Sequence, residues 1–195
     1  MSQRYTDEAL LDAARACVAE HGIARTTVAD VARRAGASRM TVYRCFPDAA
    51  TLWSSLLTRE IAAVIDTAEA QAAELPTARQ RLIAAALASL AALREDPVLR
   101  RVIEVDAERL IPYLTVKRGH AQEMAIAVVR RHLAEGRDDG SIRPVHDMAA
   151  ARLVELVLRS LVTASPALID DGLTALIEAE LAAMLDAWLR PQVTS

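Results

Sequence analysis

The chain has 195 residues, 53% of them apolar, and a formal net charge of −3. That length holds one domain, or two small ones, with a real core. The longest uncharged apolar run, Leu82–Leu93, is too short to span a bilayer, and the N-terminus MSQRYTDEA has no apolar segment of the kind that directs export. A cytoplasmic chain with no membrane partner is expected.

Only six residues are aromatic, so the core must be built from Leu, Ala, Val and Ile. Ala and Leu are strong helix formers, and Gly and Pro are few and placed as punctuation, which predicts an all-α protein. Thr6 caps a first helix, with Asp7 and Glu8 in its first turn. That helix runs to about His21, buries Leu10, Ala14, Cys17 and Val18, and is stopped by Gly22. Thr27 and Asp30 form the capping pattern of a second helix, whose inward residues are Val28, Val31 and Ala32. Gly36 supplies a left-handed turn, and Ser38 caps a third helix with Val42 and Phe46 on its inward face. Thr26–Phe46, TTVADVARRAGASRMTVYRCF, therefore reads as two short helices joined by a tight turn, a helix-turn-helix that points to double-stranded DNA. With the helix before it, this makes a three-helix, homeodomain-like domain over residues 1–47, with the motif at about 27–46.

The acidic total hides an uneven distribution. Residues 1–50 carry seven Arg against six acids, and Arg33, Arg34, Arg39 and Arg44 fall near the proposed reading surface. A small basic face on an acidic body fits a DNA partner.

After Pro47, Asp48 caps a long helix over 48–74, followed by helices at 77–94, 97–111, 113–136, 146–164 and 172–189. The breaks are Pro76, Asp96-Pro97, Ile111-Pro112, Asp138-Asp139-Gly140 and Ser165-Pro166. Each of the last two helices carries apolar residues on more than one face: Leu153, Leu156, Val157, Leu158, Leu161 and Val162 in helix 146–164, and Leu173, Leu176, Ile177, Leu181, Met184, Leu185 and Trp188 in helix 172–189. Two apolar faces imply two neighbours, so a homodimer through helices 146–164 and 172–189 is expected, burial inside a large monomeric core being the alternative.

The segment ALLDAARACVAEHGIARTTVADVARRAGASRMTVYRCFPDAATL resembles the N-terminal domain of the TetR/AcrR family of bacterial transcriptional regulators. The shared positions are the AA-containing first helix, Gly22, Thr-Thr-Val, Ala-Gly-Ala-Ser, Thr-Val-Tyr and Phe46. GRDDGSIRPVHDMAAARLVELVLRSLV resembles family members more loosely. The resemblance implies a homodimer, usually a repressor, that binds a palindromic operator. Its C-terminal domain, here 48–195, would bind ligand and dimerise, with a small-molecule effector controlling DNA affinity. It also implies DNA contacts from Thr27, Arg39, Met40, Thr41, Tyr43 and Arg44. The chemistry of each agrees: arginine pairs with guanine O6 and N7, threonine meets a base or phosphate, and Met40 suits thymine methyls. One departure stands out. The family's phosphate-contacting lysine at the start of the fourth helix is Ala49 here, a loss that Arg25, Arg33 or Arg34 would have to offset.

The aliphatic residues of 48–136 suggest a largely hydrophobic effector, with Asp106, Glu108, His120 and Glu123 as candidate polar contacts. His120 and Glu123 read as a surface ion pair, and His132 and His146 have no constellation around them. Cys17 is expected in the core, and Cys45 reads as a filler cysteine, a thiol sensor being the alternative. There is no G-x-S-x-G, H-E-x-x-H, P-loop or dinucleotide-binding cluster, so neither an enzyme, a cofactor nor a metal is expected. A competing reading is a ligand- or partner-binding helical dimer with weak or lost DNA binding. A regulator acting as an activator is a further alternative.

Overall fold

In the computed structural model, which describes residues 6–103, 119–164 and 172–192, every regular element is a helix. The elements are α1 (Asp7–His21), α2 (Val28–Ala35), α3 (Arg39–Cys45), α4 (Ala49–Ala72), α5 (Ala78–Glu95), α6 (97–103), α7 (His120–Asp138), α8 (Asp147–Thr163) and α9 (Thr174–Leu189). Among the described residues no helix is long and apolar enough to cross a membrane.

The chain divides into two compact units that are discontinuous in sequence. One takes residues from 1–61 and 95–119, the other from 62–94 and 120–195. In the first, α1, α2 and α3 close around Leu10, Ala14, Cys17, Val18, Val31, Val42 and Phe46, joined by Leu52, Trp53 and Leu56 of α4 and Val98 and Val102 of α6. Leu10, Leu52 and Leu56 are wholly buried, each contributing about 2–3 kcal/mol by leaving water. The expected inward residues Leu10, Ala14, Cys17, Val18, Val28, Val31 and Ala32 are all buried.

A polar lattice ties this unit together. Glu60 on α4 is buried, and its carboxylate accepts from Arg15 Nε of α1 at 2.7 Å and Arg59 Nη2 at 3.1 Å. Arg59 Nη1 also reaches Glu8 and Asp12 on α1, at 3.2 and 2.9 Å. Arg15 Nη2 lies 3.4 Å from Asp96 Oδ2, while Asp96 Oδ1 accepts the Val98 and Leu99 amides at 2.9 Å each and so caps α6.

In the second unit, Leu82 and Leu90 of α5, Val129 and Leu133 of α7, Ala151 and Val154 of α8, and Leu181, Leu185 and Leu189 of α9 form the core. Asp139 in the α7–α8 turn accepts from the Ala78 amide at 2.8 Å and caps α5, while Ser141 Oγ accepts from Arg79 N at 3.2 Å. The Ala78 amide, and after it the hydroxyl and amide of Ser141, hold the Asp139 carboxyl below its ordinary value. Gly136 sits inside α7 because Ile142 folds directly over it. A Cβ at 136 would stand 2.3, 2.4 and 2.9 Å from Ile142 Cδ1, Cγ1 and Cβ. Each of α8 and α9 buries one face and exposes another. Leu153, Leu156, Leu176 and Met184 all stand in solvent, Leu176 at 64% exposure.

Two boundaries differ from expectation. Of the helix expected over 113–136, residues 113–118 lie outside the described residues, Gly119 is not helical, and α7 runs from His120 on to Asp138, where Gly140 at φ 72° ends it. Glycine costs about 1 kcal/mol in a helix interior, so a start after Gly119 is the cheaper arrangement. The helix expected over 97–111 is seen over 97–103; residues 104–111, with Asp106 and Glu108, lie outside the described residues, as does Ser165-Pro166.

Candidate nucleic-acid interface

Local chemistry sets each element of the reader. Thr27 and Asp30 make a reciprocal capping box: the Asp30 amide donates to Thr27 Oγ1 at 3.2 Å, and the Thr27 amide donates to Asp30 Oδ2 at 3.0 Å. The Thr27 hydroxyl also donates to Asp30 Oδ2, at 2.6 Å. That hydroxyl bond is the main cause, with Arg33 also attached, of an Asp30 carboxyl lowered to about 2. The Thr27 hydroxyl hydrogen is therefore already committed within the chain.

The α2–α3 turn is a Schellman motif. Gly36, at φ 68°, donates its amide to Ala32 and Arg33, and the Ala37 amide reaches back to Ala32 O at 2.8 Å. Ser38 then caps α3, accepting the Thr41 amide at 3.1 Å, while its hydroxyl meets that of Thr41 at 2.9 Å.

With α3 so aimed, Val42 and Phe46 are buried and the opposite face is open. Met40 is 77% exposed and Tyr43 45% exposed. Arg39 and Arg44 are exposed too, and among the described residues neither has a carboxylate partner within 4 Å. The structure thus brings Arg39, Met40, Tyr43 and Arg44 together on one exposed helix surface. Thr27 and Thr41 lie at the two helix starts with their hydroxyls engaged in caps.

Arg33 and Arg34 behave differently from Arg39 and Arg44. Arg33 pairs with Asp30, and Arg34 Nη2 donates to Glu20 Oε1 at 2.5 Å. Ala49 is the first residue of α4, half-buried against the reader core, and Asp48 Oδ1 accepts the Thr51 amide at 2.6 Å as the cap. Cys45 is half-buried beside Asp7, whose carboxylate pushes the thiol up and keeps it protonated. A protonated thiol is a poor nucleophile, which weighs against a sensor role. Burial pushes Cys17 up as well, as fits a core residue.

The other candidate residues need correction. His120 and Glu123 are both exposed, and among the described residues no ion pair joins them. His132 does not stand alone: it is buried, with Nε2 at 2.8 Å from Glu69 Oε1 and Nδ1 at 3.8 Å from Glu135 Oε2. His146 is the N-cap of α8, its Nδ1 accepting from the Ala149 amide at 3.4 Å. Glu69 lies 63 residues before His132, a separation that helical periodicity cannot bridge. Among the described residues no three His, Cys, Asp or Glu side chains gather to hold a metal ion.

A reading helix seated on a compact three-helix core has clear counterparts. The profile of "Bacterial regulatory proteins, tetR family" matches residues 10–52. An uncharacterized HTH-type transcriptional regulator of Mycobacterium bovis is 32% identical over 181 residues, covering 92% of this chain and 92% of its own length. The chain belongs to the TetR family. It is a DNA-binding transcriptional regulator, and the alternative of a helical dimer that has lost DNA binding is not favoured. Solved TetR-like structures share the fold. SmeT, the repressor of a Stenotrophomonas maltophilia multidrug efflux pump, matches with TM-score 0.64 and 28% identity over 97% of this chain and 92% of that one. The regulator FadR from Bacillus subtilis, solved with stearoyl-CoA, matches with TM-score 0.67 and 20% identity over 95% of this chain and 100% of that one.

Proposed function

We propose that this TetR-family chain is a homodimeric repressor. Residues 1–47 would read a palindromic operator, and residues 48–195 would dimerise and bind a small, largely hydrophobic effector that releases it. One observation carries the reading surface. Arg39, Met40, Tyr43 and Arg44 stand exposed on α3, both arginines without an ion pair among the described residues, while Val42 and Phe46 anchor the helix behind them. Free guanidinium groups suit guanine edges and phosphates, and the Tyr43 hydroxyl suits a backbone oxygen. Thr27 and Thr41 contribute by fixing the two helix starts, and each can accept a further contact at its oxygen.

The exposed Leu153 and Leu156 of α8 and Leu176 and Met184 of α9 support dimerisation, since a second copy would remove them from water. In such a dimer the two reading helices would lie about 34 Å apart, one turn of duplex. The aliphatic core of the second unit favours an apolar effector. Among the structural relatives, one is bound to stearoyl-CoA and one to triclosan.

The test is selection of genomic fragments by the purified protein, followed by titration of the recovered duplex. Arg39→Ala and Tyr43→Phe are each expected to weaken binding at least ten-fold. Retention of full affinity by both variants would remove α3 as the reading element. An effector that leaves operator affinity unchanged would remove the switch.

A further inference from the structure

Ala49 lacks the cation that would grip a phosphate, and three arginines flank the reader as replacements: Arg25, Arg33 and Arg34. The structure separates them. Arg33 is held by Asp30 and Arg34 by Glu20, so either must leave a carboxylate before it can neutralise DNA. The carboxylate left behind would then stand close to the phosphate and repel it. Arg25 is exposed, and among the described residues no carboxylate lies within 4 Å of it.

Its backbone is also firmly placed. Arg25 sits in the turn between α1 and α2, where the buried Thr26 hydroxyl donates to Gly22 O at 2.6 Å and Cys17 O at 3.3 Å. The Thr26 amide donates to Ile23 O at 3.3 Å, and Ile23 is itself buried. A guanidinium on so fixed a turn loses little backbone freedom when it docks. In a helix-turn-helix complex the first helix of the motif crosses the DNA backbone. Here that helix is α2, whose N-cap Thr27 stands two residues beyond Arg25, and its start already carries the Asp30 carboxylate in its capping box. The start of α2 therefore offers a phosphate a negative neighbour, and Arg25 is the free positive charge beside it.

We infer that Arg25 is a phosphate-gripping residue of this reader and takes over the contact missing at position 49. The inference rests on the reading surface proposed above, with Arg25 as a positioning residue that carries no base specificity.

A labelled duplex of arbitrary sequence suffices as probe, because phosphate neutralisation is sequence-independent. Binding is followed by anisotropy across a KCl series for the full-length wild type and for Arg25→Gln, Arg25→Lys, Arg33→Gln and Arg34→Gln. Arg25→Gln is expected to lower the log-affinity against log-salt slope by about one unit per protomer, which is about five-fold in affinity at 0.15 M salt. Arg25→Lys should keep the wild-type slope, since a point charge is enough. Adding Ala49→Lys to Arg25→Gln should restore the lost unit, a rescue that a folding defect would not allow. An Arg25→Gln slope equal to wild type, or a full-unit loss in Arg33→Gln or Arg34→Gln instead, overturns the assignment. Wild type that shows no salt-dependent binding to this duplex or to the selected operator overturns the reading surface itself.

Discussion

Gly136→Ala is expected to destabilise the protein although it replaces glycine by the best helix former. The propensity gain is at most about 1 kcal/mol, because Gly136 stands in the last turn of α7. Against it stands the new methyl, whose carbon would lie 2.3 Å from Ile142 Cδ1, 2.4 Å from Cγ1 and 2.9 Å from Cβ. Rotating Ile142 relieves the first two contacts, but the Cβ contact yields only if the backbone moves. Ile142 is buried, and its amide donates to Gly136 O at 2.8 Å, so that movement strains the turn closing α7. Overpacking of this kind costs about 1–3 kcal/mol. The net expectation is a loss of up to about 2 kcal/mol, or up to several degrees in Tm at about 2–4 °C per kcal/mol for a chain of this size. Urea unfolding of Gly136→Ala, Ile142→Ala and the double variant supplies the assay. Ile142→Ala alone should cost about 2–4 kcal/mol through its cavity. The double variant should cost less than the sum, because Ile142→Ala removes the Cδ1 and Cγ1 contacts and leaves only the one at Cβ. A stabilised Gly136→Ala, or strict additivity, would refute the close-approach argument.

Three further outcomes follow from the reader. Ala49→Lys should raise affinity for every duplex and steepen the salt slope by about one unit per protomer, read by anisotropy; an unchanged slope removes position 49 from the phosphate footprint. Glu60→Leu removes the buried acceptor that Arg15 and Arg59 share, while both keep other carboxylates and partial exposure, so it should cost about 1–2 kcal/mol in urea unfolding, and no loss would refute the lattice as a stabiliser. The Asp30 carboxyl, ordinarily near 3.8, is lowered to about 2, so its contribution to stability is complete above pH 3.8 and is lost as pH falls through about 2. A carbon-detected NMR titration should place its midpoint near 2 in the folded protein, and a midpoint near 3.8 would show the capping box open.

The parts of the fold legible in the sequence are those whose causes lie within four residues of one another. Thr6 accepting from Ala9, the Thr27–Asp30 box, Gly36 in its left-handed turn, Ser38 capping Thr41 and Asp48 capping Thr51 are all local, and each was readable as a residue type at a fixed offset. The exposed face of α3 was legible for the same reason, from Val42 and Phe46 alone. Illegible were the contacts between segments distant in the chain. Arg15 meets Glu60 across 45 residues and Asp96 across 81, and His132 meets Glu69 across 63. No periodicity connects such positions, so His132 looked isolated and the three flanking arginines looked equivalent. The Arg34–Glu20 pair shows only once α1 and α2 are packed, whereas Arg33–Asp30 is a pair three residues apart within α2 that spacing alone allows.

Asp96 gives one oxygen to the amides of Val98 and Leu99 and the other to Arg15. Asparagine at this position would keep the cap and lose the charge. Glutamate would keep the charge, but it is not a helix-capping residue. A single-step substitution therefore sacrifices one of the two roles, and aspartate alone among the twenty side chains satisfies both. The position should thus tolerate far less sequence drift than its half-buried surroundings at the start of α6 suggest, and a saturation library scored for folded protein should return aspartate there above every other residue.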